Sequence, residues 1–244
     1  MKLNQSNRLW EIDALRGIAI LMMLIYHSLM DIEYVFEKDF YLVTGFWKYF
    51  QIIGAIFFLG LVGISFTLSH ARKRTPQYYL IRGGKIFLFG MLITVLTRVI
   101  LEDGFVIFGV LHLIGVSTML APVFLRFKKL NLFLGILLVV IGFYLDTLTF
   151  PFTTLVWLGF IPDSFFSFDY FPLLPWFGFI LLGIYAGKII YPDSKRCFYL
   201  TDLSGSPPIQ CLTFLGRHSL LIYLLHQPVL LGVFYLTALY QGNS

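Results

Sequence analysis

Apolar residues run along this chain in long blocks with short polar breaks between them. Seven blocks approach the roughly 20 mostly apolar residues that a helix needs to cross hydrocarbon. They cover residues 12–30, 45–69, 80–101, 104–125, 130–150, 170–191 and 214–239. The pattern predicts an all-α, polytopic membrane helix bundle of about seven transmembrane helices, one domain over residues 1–244. Pro172 and Pro175 open the sixth block, where proline suits a first helical turn or a kink. The stretch 147–169 is aromatic and punctuated by proline. Its Phe150, Phe152, Trp157, Phe165, Phe166 and Phe168 suit the headgroup zone, so an interfacial or re-entrant segment is expected there. The stretch 193–210, with Gly205-Ser206-Pro207-Pro208, reads as the one linker-like loop.

Composition narrows the class. Hydrophobic residues make up 58% of the chain and charged residues 13%, against about 25% charged in a soluble domain. The apolar blocks leave no room for a separate soluble domain of ordinary size. The first block is long and lacks a small-residue cleavage site, so it reads as a retained span. The net charge of +5 does not point to nucleic acid, because the basic residues sit in short loops between apolar blocks. Cys197 and Cys211 fall in one stretch expected to be cytoplasmic, with no C-x-x-C, so neither a disulfide nor a metal site is expected.

Charge gives an orientation. With the N-terminus cytoplasmic, Lys2, Arg8, Arg16, Arg72-Lys73-Arg74, Arg82, Lys85, Arg126, Lys128, Lys129, Lys188, Lys195, Arg196 and Arg217 share the cytoplasmic side. Only Lys38, Lys48 and Arg98 fall opposite, on a side that carries Asp31, Glu33, Glu37, Asp39, Glu102, Asp103, Asp146, Asp163 and Asp169. This positive-inside bias predicts a multi-pass protein of the cell membrane with its C-terminus outside.

Ionisable groups inside the apolar blocks are the candidates for chemistry, because hydrocarbon penalises them unless they face protein or water. On a helix, Asp13, Arg16, His27 and Asp31 fall within roughly 60° of one another. Arg16 and His27 are separated by about 16 Å of rise, so the stripe has a cytoplasmic and an outer end. Asp31 lies four residues beyond His27, and an imidazole beside a carboxylate is a standard general-base arrangement. A plain interfacial cap by His27 is the structural alternative. His112 lies within the fourth block, either lining a cavity or joining helices by a hydrogen bond. In the last block Ser219, Tyr223 and His226 share a face, and Pro228 frees the carbonyl of Leu224. Arg82 and Lys85, flanking Gly83-Gly84, suit an anionic ligand or ordinary positive-inside charge. Arg98 is expected to reach the headgroups or pair with Glu102.

These segments also resemble a family. The run from Trp10 through Asp13-Ala14-Leu15-Arg16-Gly17 to Tyr26-His27 resembles the opening helix of the transmembrane acyltransferase superfamily. Phe57-Phe58 through Gly63-Ile64-Ser65 resembles its second-helix motif, and Arg217-His218-Ser219 through His226-Gln227-Pro228 its closing helix. The nearest resemblance, over essentially the whole chain, is to short prokaryotic proteins grouped with the catalytic domain of heparan-alpha-glucosaminide N-acetyltransferase. It implies transfer of an acyl group, commonly acetyl from acetyl-CoA, to a sugar-type acceptor across the membrane. It also implies His27 as the essential histidine and Arg16 as its partner arginine. Residues 30–48 contain no histidine, so the covalent histidine step of the lysosomal enzyme has no counterpart there.

The reading is an acetyl-CoA-dependent membrane acyltransferase acting on a glycan or lipid-linked acceptor. His27 with Asp31 is the expected base, Arg16, Arg82 and Lys85 the donor site, and His112, Tyr223 and His226 the substrate cavity. Membrane lipids surround it, and a homo-oligomer is compatible with the sequence. The rival is a proton-coupled multi-pass transporter, which predicts repeated or broken helices, and no repeat is evident. The orientation predicts that a cysteine placed at Glu37 is labelled by an impermeant thiol reagent on intact cells, whereas one at Lys73 is not. Labelling at 73 but not 37 contradicts it.

Overall fold

The computed structural model describes residues 9–70, 72, 74–101 and 103–242. Lys2, Arg8, Lys73 and Glu102 of the sequence reading lie outside the described residues. The elements are α1 (Trp10–Phe36), α2 (Gly45–His70), α3 (Pro76–Ile100), α4 (Val110–Phe124), α5 (Lys129–Leu145), α6 (Leu173–Ile190), α7 (Pro207–Arg217) and α8 (Ser219–Gly242). Single 3₁₀ turns lie at Val156–Leu158 and Pro192–Ser194. Among the described residues no strand forms, and Phe150 and Pro162 make an isolated β-bridge.

Among the described residues the fold is all-helical, as expected. Five helices, α1, α2, α3, α6 and α8, are long and apolar enough to cross a membrane, while α4 and α5 are shorter apolar helices. The predicted block 104–125 becomes helical only at Val110. Before it, Gly104 takes a positive φ of 76°, a conformation open to glycine. There the chain pairs with the aromatic segment instead: Phe168 N–H donates to the Gly104 carbonyl (3.0 Å) and Phe171 N–H to that of Phe108 (2.8 Å). The last block is two helices, α7 and α8, separated at His218. α7 also begins inside the expected linker. Pro207-Pro208, read as a breaker, opens the helix, where a missing N–H costs nothing.

The chain's contacts divide it into two compact units: residues 1–58 with 200–244, and residues 59–199. The first holds α1, the start of α2, α7 and α8. Here α1 packs on α7 through glycines. A Cβ at Gly17 would overlap the backbone of Leu212, and one at Gly216 the backbone of Asp13. Small residues of this kind let helix backbones approach where no hydrophobic effect drives association. Further along, α8 meets α1, with Phe36 and Phe234 edge to face at 6.4 Å.

The second unit holds the end of α2 with α3 to α6. α3 packs on α4 across Gly83 and Gly115. Lys188 Nζ donates to the carbonyls of Leu125 (2.5 Å) and Phe127 (2.8 Å), a cation at the helix C-terminus that the dipole favours. Arg98 lies over the Phe105 ring, 4.8 Å from its centroid. The segment between α5 and α6 is held by the Tyr170 hydroxyl, which donates to the Val156 carbonyl at 2.8 Å. Burial, and then the nearby Asp146 carboxylate, push this phenol well above its ordinary range.

Gly216→Ala should therefore destabilise the protein by about 1–3 kcal/mol, the cost of overpacking. Gly232 is the control, because a methyl group added there would meet no atom within 4 Å. Gly232→Ala should be neutral or gain up to about 1 kcal/mol from helix propensity. Equal thermal unfolding of the two variants in detergent contradicts the glycine-contact account.

Candidate functional site

The polar stripe of α1 is built at two levels, both inside the first unit. The first is near the start of the helix. Asp13 is buried at 6% exposure and receives two guanidiniums. Arg16 Nη1 donates to Asp13 Oδ1 at 3.0 Å and to the Gly216 carbonyl at 3.3 Å. Arg217 Nε donates to Asp13 Oδ2 at 3.2 Å. The glycine contact explains the pairing, since it sets the last turn of α7 directly on the backbone of Asp13. Arg16 and Asp13 are therefore a helix i,i+3 pair that also ties α1 to α7.

The second level lies beyond it on α1. His27 faces α8, with its ring centroid 4.8 Å from that of His226, edge to face. Gln227 Nε2 lies 3.1 Å from His27 Nδ1. The same Gln227 side chain lies against the carboxylate of Asp31, which is buried at 3% exposure. His226 Nδ1 is 2.6 Å from the carbonyl of Tyr223, one turn earlier on α8. The Tyr223 and His226 rings lie 5.4 Å apart. Three buried polar atoms here have no hydrogen-bond partner among the described residues: His226 Nε2, Asp31 Oδ2 and Gln227 Oε1. Buried polar atoms ordinarily are paired, so such a cluster is a place where a ligand or water belongs.

The expected stripe is thus one face, and α8 closes on it with the face that carries Tyr223 and His226. The pairing within it differs from the expectation. Among the described residues no hydrogen bond joins His27 to Asp31. Gln227 stands between them. Its sequence signal was the i,i+4 step from Tyr223, which puts it on the Tyr223–His226 face. Arg217, read from sequence only as topogenic charge, is the second missed residue. Nothing in the chain's pattern separated it from other loop cations, because its role depends on the α7–α8 break.

The other expected site residues lie in the second unit. Arg82 is exposed, and its Nη1 donates to the Tyr78 hydroxyl at 2.7 Å. Lys85 is exposed on the same helix. The contacts of His112 are those of the second alternative left open by the sequence, a hydrogen bond between helices. The residue is 1% exposed and sits at the third position of α4. Its Nδ1 accepts from the Gly109 N–H at 3.1 Å, and Nε2 lies 3.4 Å from Thr94 Oγ1. Phe108 stacks on the ring, and Phe87 meets it edge-on. Both ring nitrogens are engaged in starting α4 and joining it to α3.

Among the described residues no three His, Cys, Asp or Glu side chains are placed to hold a metal ion. What the second level offers is two imidazoles, an amide and a carboxylate where two long apolar helices meet, with His226 and Asp31 buried and His27 and Gln227 half-buried. Such a set can take a proton and donate a hydrogen bond to a developing anion.

Compared with known protein families, residues 8–228 match the one described as heparan-alpha-glucosaminide N-acetyltransferase, catalytic. No curated protein and no solved structure matches the chain.

The first level makes a stability prediction. Asp13→Asn replaces an acceptor-only carboxylate with a group that presents N–H toward one of the two guanidiniums. Loss of charged hydrogen bonds of this kind costs about 1.5–3 kcal/mol. Thermal unfolding of the purified variant should show that loss, and wild-type stability would mean the α1–α7 ion pairs contribute nothing.

Proposed function

The chain belongs to the family of the heparan-alpha-glucosaminide N-acetyltransferase catalytic domain, and on that premise we propose that it moves an acetyl group from acetyl-CoA to a glycan or other hydroxyl or amine acceptor. The family match over residues 8–228 carries the reading, because it includes α1 and the part of α8 that carries His226. Transfer takes place at the second level. The acceptor gives up a proton to an imidazole as it attacks the thioester carbonyl, and the thiolate leaves. Taking up that proton as the new bond forms avoids a high-energy cationic or anionic species.

The remaining residues have proposed roles about that centre. Arg16, with Arg217 beside it, holds the anionic donor from the cytoplasmic side, and Arg82 and Lys85 on α3 are proposed, from their charge alone, as further donor-binding cations. Asp31 orients Gln227, and through it His27. Tyr223 lies along the acceptor path. His112 is a positioning residue for α4. A proton-coupled transporter would also use buried imidazoles, but no observation favours it over group transfer.

Acetyl-CoA should raise the thermal stability of the purified protein, by about 2.7 kcal/mol at a hundredfold excess over Kd. Each variant is compared with its own ligand-free form. Arg16→Lys and Arg16→Ala should show a smaller rise, since an ammonium does not reproduce bidentate contact with phosphate. An unchanged rise removes Arg16 from the donor site. Mass spectrometry of surface glycans and lipids from a deletion strain should show a lost acetyl group. An unaltered profile together with no acetyl-CoA response in the wild-type protein contradicts the proposal.

A further inference from the structure

The two imidazoles of the site are held in opposite tautomers, and from this we infer that His226 is the proton acceptor of the transfer while His27 is the hydrogen-bond donor to the oxyanion. The inference rests on the acyl-transfer reading and reverses the role that sequence alone suggests for His27.

The assignment follows from the partner of each Nδ1. A backbone carbonyl can only accept. His226 Nδ1, 2.6 Å from the Tyr223 carbonyl, therefore carries the proton. In the neutral ring that leaves a lone pair on Nε2. This Nε2 is the buried atom without a partner. An amide nitrogen can only donate, so His27 Nδ1, 3.1 Å from Gln227 Nε2, holds a lone pair. In the neutral ring the His27 proton is then on Nε2. Asp31 decides which end of the Gln227 amide meets His27. The amide lies against this carboxylate, and an acceptor-only carboxylate favours the amide's N–H end over its oxygen. Turning the amide over would set oxygen against oxygen.

The pair is then chemically complementary. As the acceptor O–H or N–H attacks the thioester carbonyl carbon, His226 Nε2 takes its proton and a new bond to that carbon forms. The carbonyl electrons move onto oxygen, and His27 Nε2–H donates a hydrogen bond to this oxyanion. When the tetrahedral species collapses, the carbon–sulfur bond breaks. The thiolate takes the proton from His226, and the ring returns to its starting tautomer. The ring centroids stand 4.8 Å apart, close enough for both rings to reach one reacting carbonyl. Gln227 and Asp31 are positioning residues, acting through the tautomer of His27.

The test uses the purified full chain with acetyl-CoA, following free thiol with two acceptors, glucosamine and hydroxylamine. Hydroxylamine attacks thioesters without assistance from a base. His226→Gln should lower turnover with glucosamine by about 10²-fold or more, as for loss of a general base, with the KM for acetyl-CoA unchanged. With hydroxylamine the deficit should shrink below tenfold. His27→Gln keeps an N–H donor and should stay within tenfold of wild type. His27→Ala should lose about 10²–10³-fold with either acceptor, as for loss of an oxyanion donor. A deficit that depends on the acceptor in His27→Gln but not in His226→Gln overturns the assignment. Thiol release absent from folded wild-type protein with both acceptors overturns the acyl-transfer reading instead. Nitrogen-15 spectra of histidine-labelled protein read the tautomers without any assay or altered fold. Signals of the five histidines, assigned by single variants, should show a proton on Nε2 of His27 and on Nδ1 of His226. The same tautomer in both rings overturns the inference.

Discussion

A helix long enough to cross hydrocarbon must turn its ionisable side chains toward protein, and α1 carries four of them on one face. That constraint determines what must lie beside it. The stripe needs partners at both ends, and the α7–α8 segment supplies them: Arg217 and the Gly216 carbonyl at one level, His226 and Gln227 at the other. The glycine contacts at Gly17 and Gly216 bring the backbones close enough for the guanidiniums of Arg16 and Arg217 to reach Asp13. Widening that contact would leave a buried carboxylate without its cations, and unpaired buried charge is among the most costly defects a fold can carry.

The two levels have different characters. Asp13 has both carboxylate oxygens engaged by arginines, which suits an anchor. The His27 level keeps three buried polar atoms without partners among the described residues. Full satisfaction rigidifies a polar network, whereas buried polar atoms without partners are places where water, an ion or a ligand group can bind. The transfer step is therefore proposed at the second level, while the first level ties α1 to α7 and presents Arg217, half-exposed, for the donor.

Much of this was legible in the sequence. Block lengths gave the helical membrane class, and the 3.6-residue period put Asp13, Arg16, His27 and Asp31 on one face and Tyr223 with His226 on another. What the sequence left unread depended on information that local pattern lacks. Pro207-Pro208 reads equally as a breaker or a helix start, and only the packing of α7 on α1 decides between them. The apolar stretch before Val110 has the hydropathy of a span, but its backbone bonds to the segment after α5. His112 has the burial of a functional imidazole, and its role at the start of α4 emerges only from its partners. Gln227 as a hydrogen-bond partner of His27 went unread for a related reason. The i,i+4 rule finds neighbours on the same helix, so it offered Asp31 and was silent about Gln227 arriving from another helix.

The central claim is that the α1–α8 imidazole pair transfers an acetyl group, and a label-transfer measurement addresses it most directly. Purified protein is incubated with acetyl-CoA labelled in the acetyl group and a glucosaminide acceptor, and the products are resolved by mass spectrometry. The account predicts that label appears in the acceptor with wild-type protein, and that this signal is abolished when His27 and His226 are both replaced by alanine in a variant that still binds acetyl-CoA. Label transfer by that double variant at the wild-type rate would contradict it.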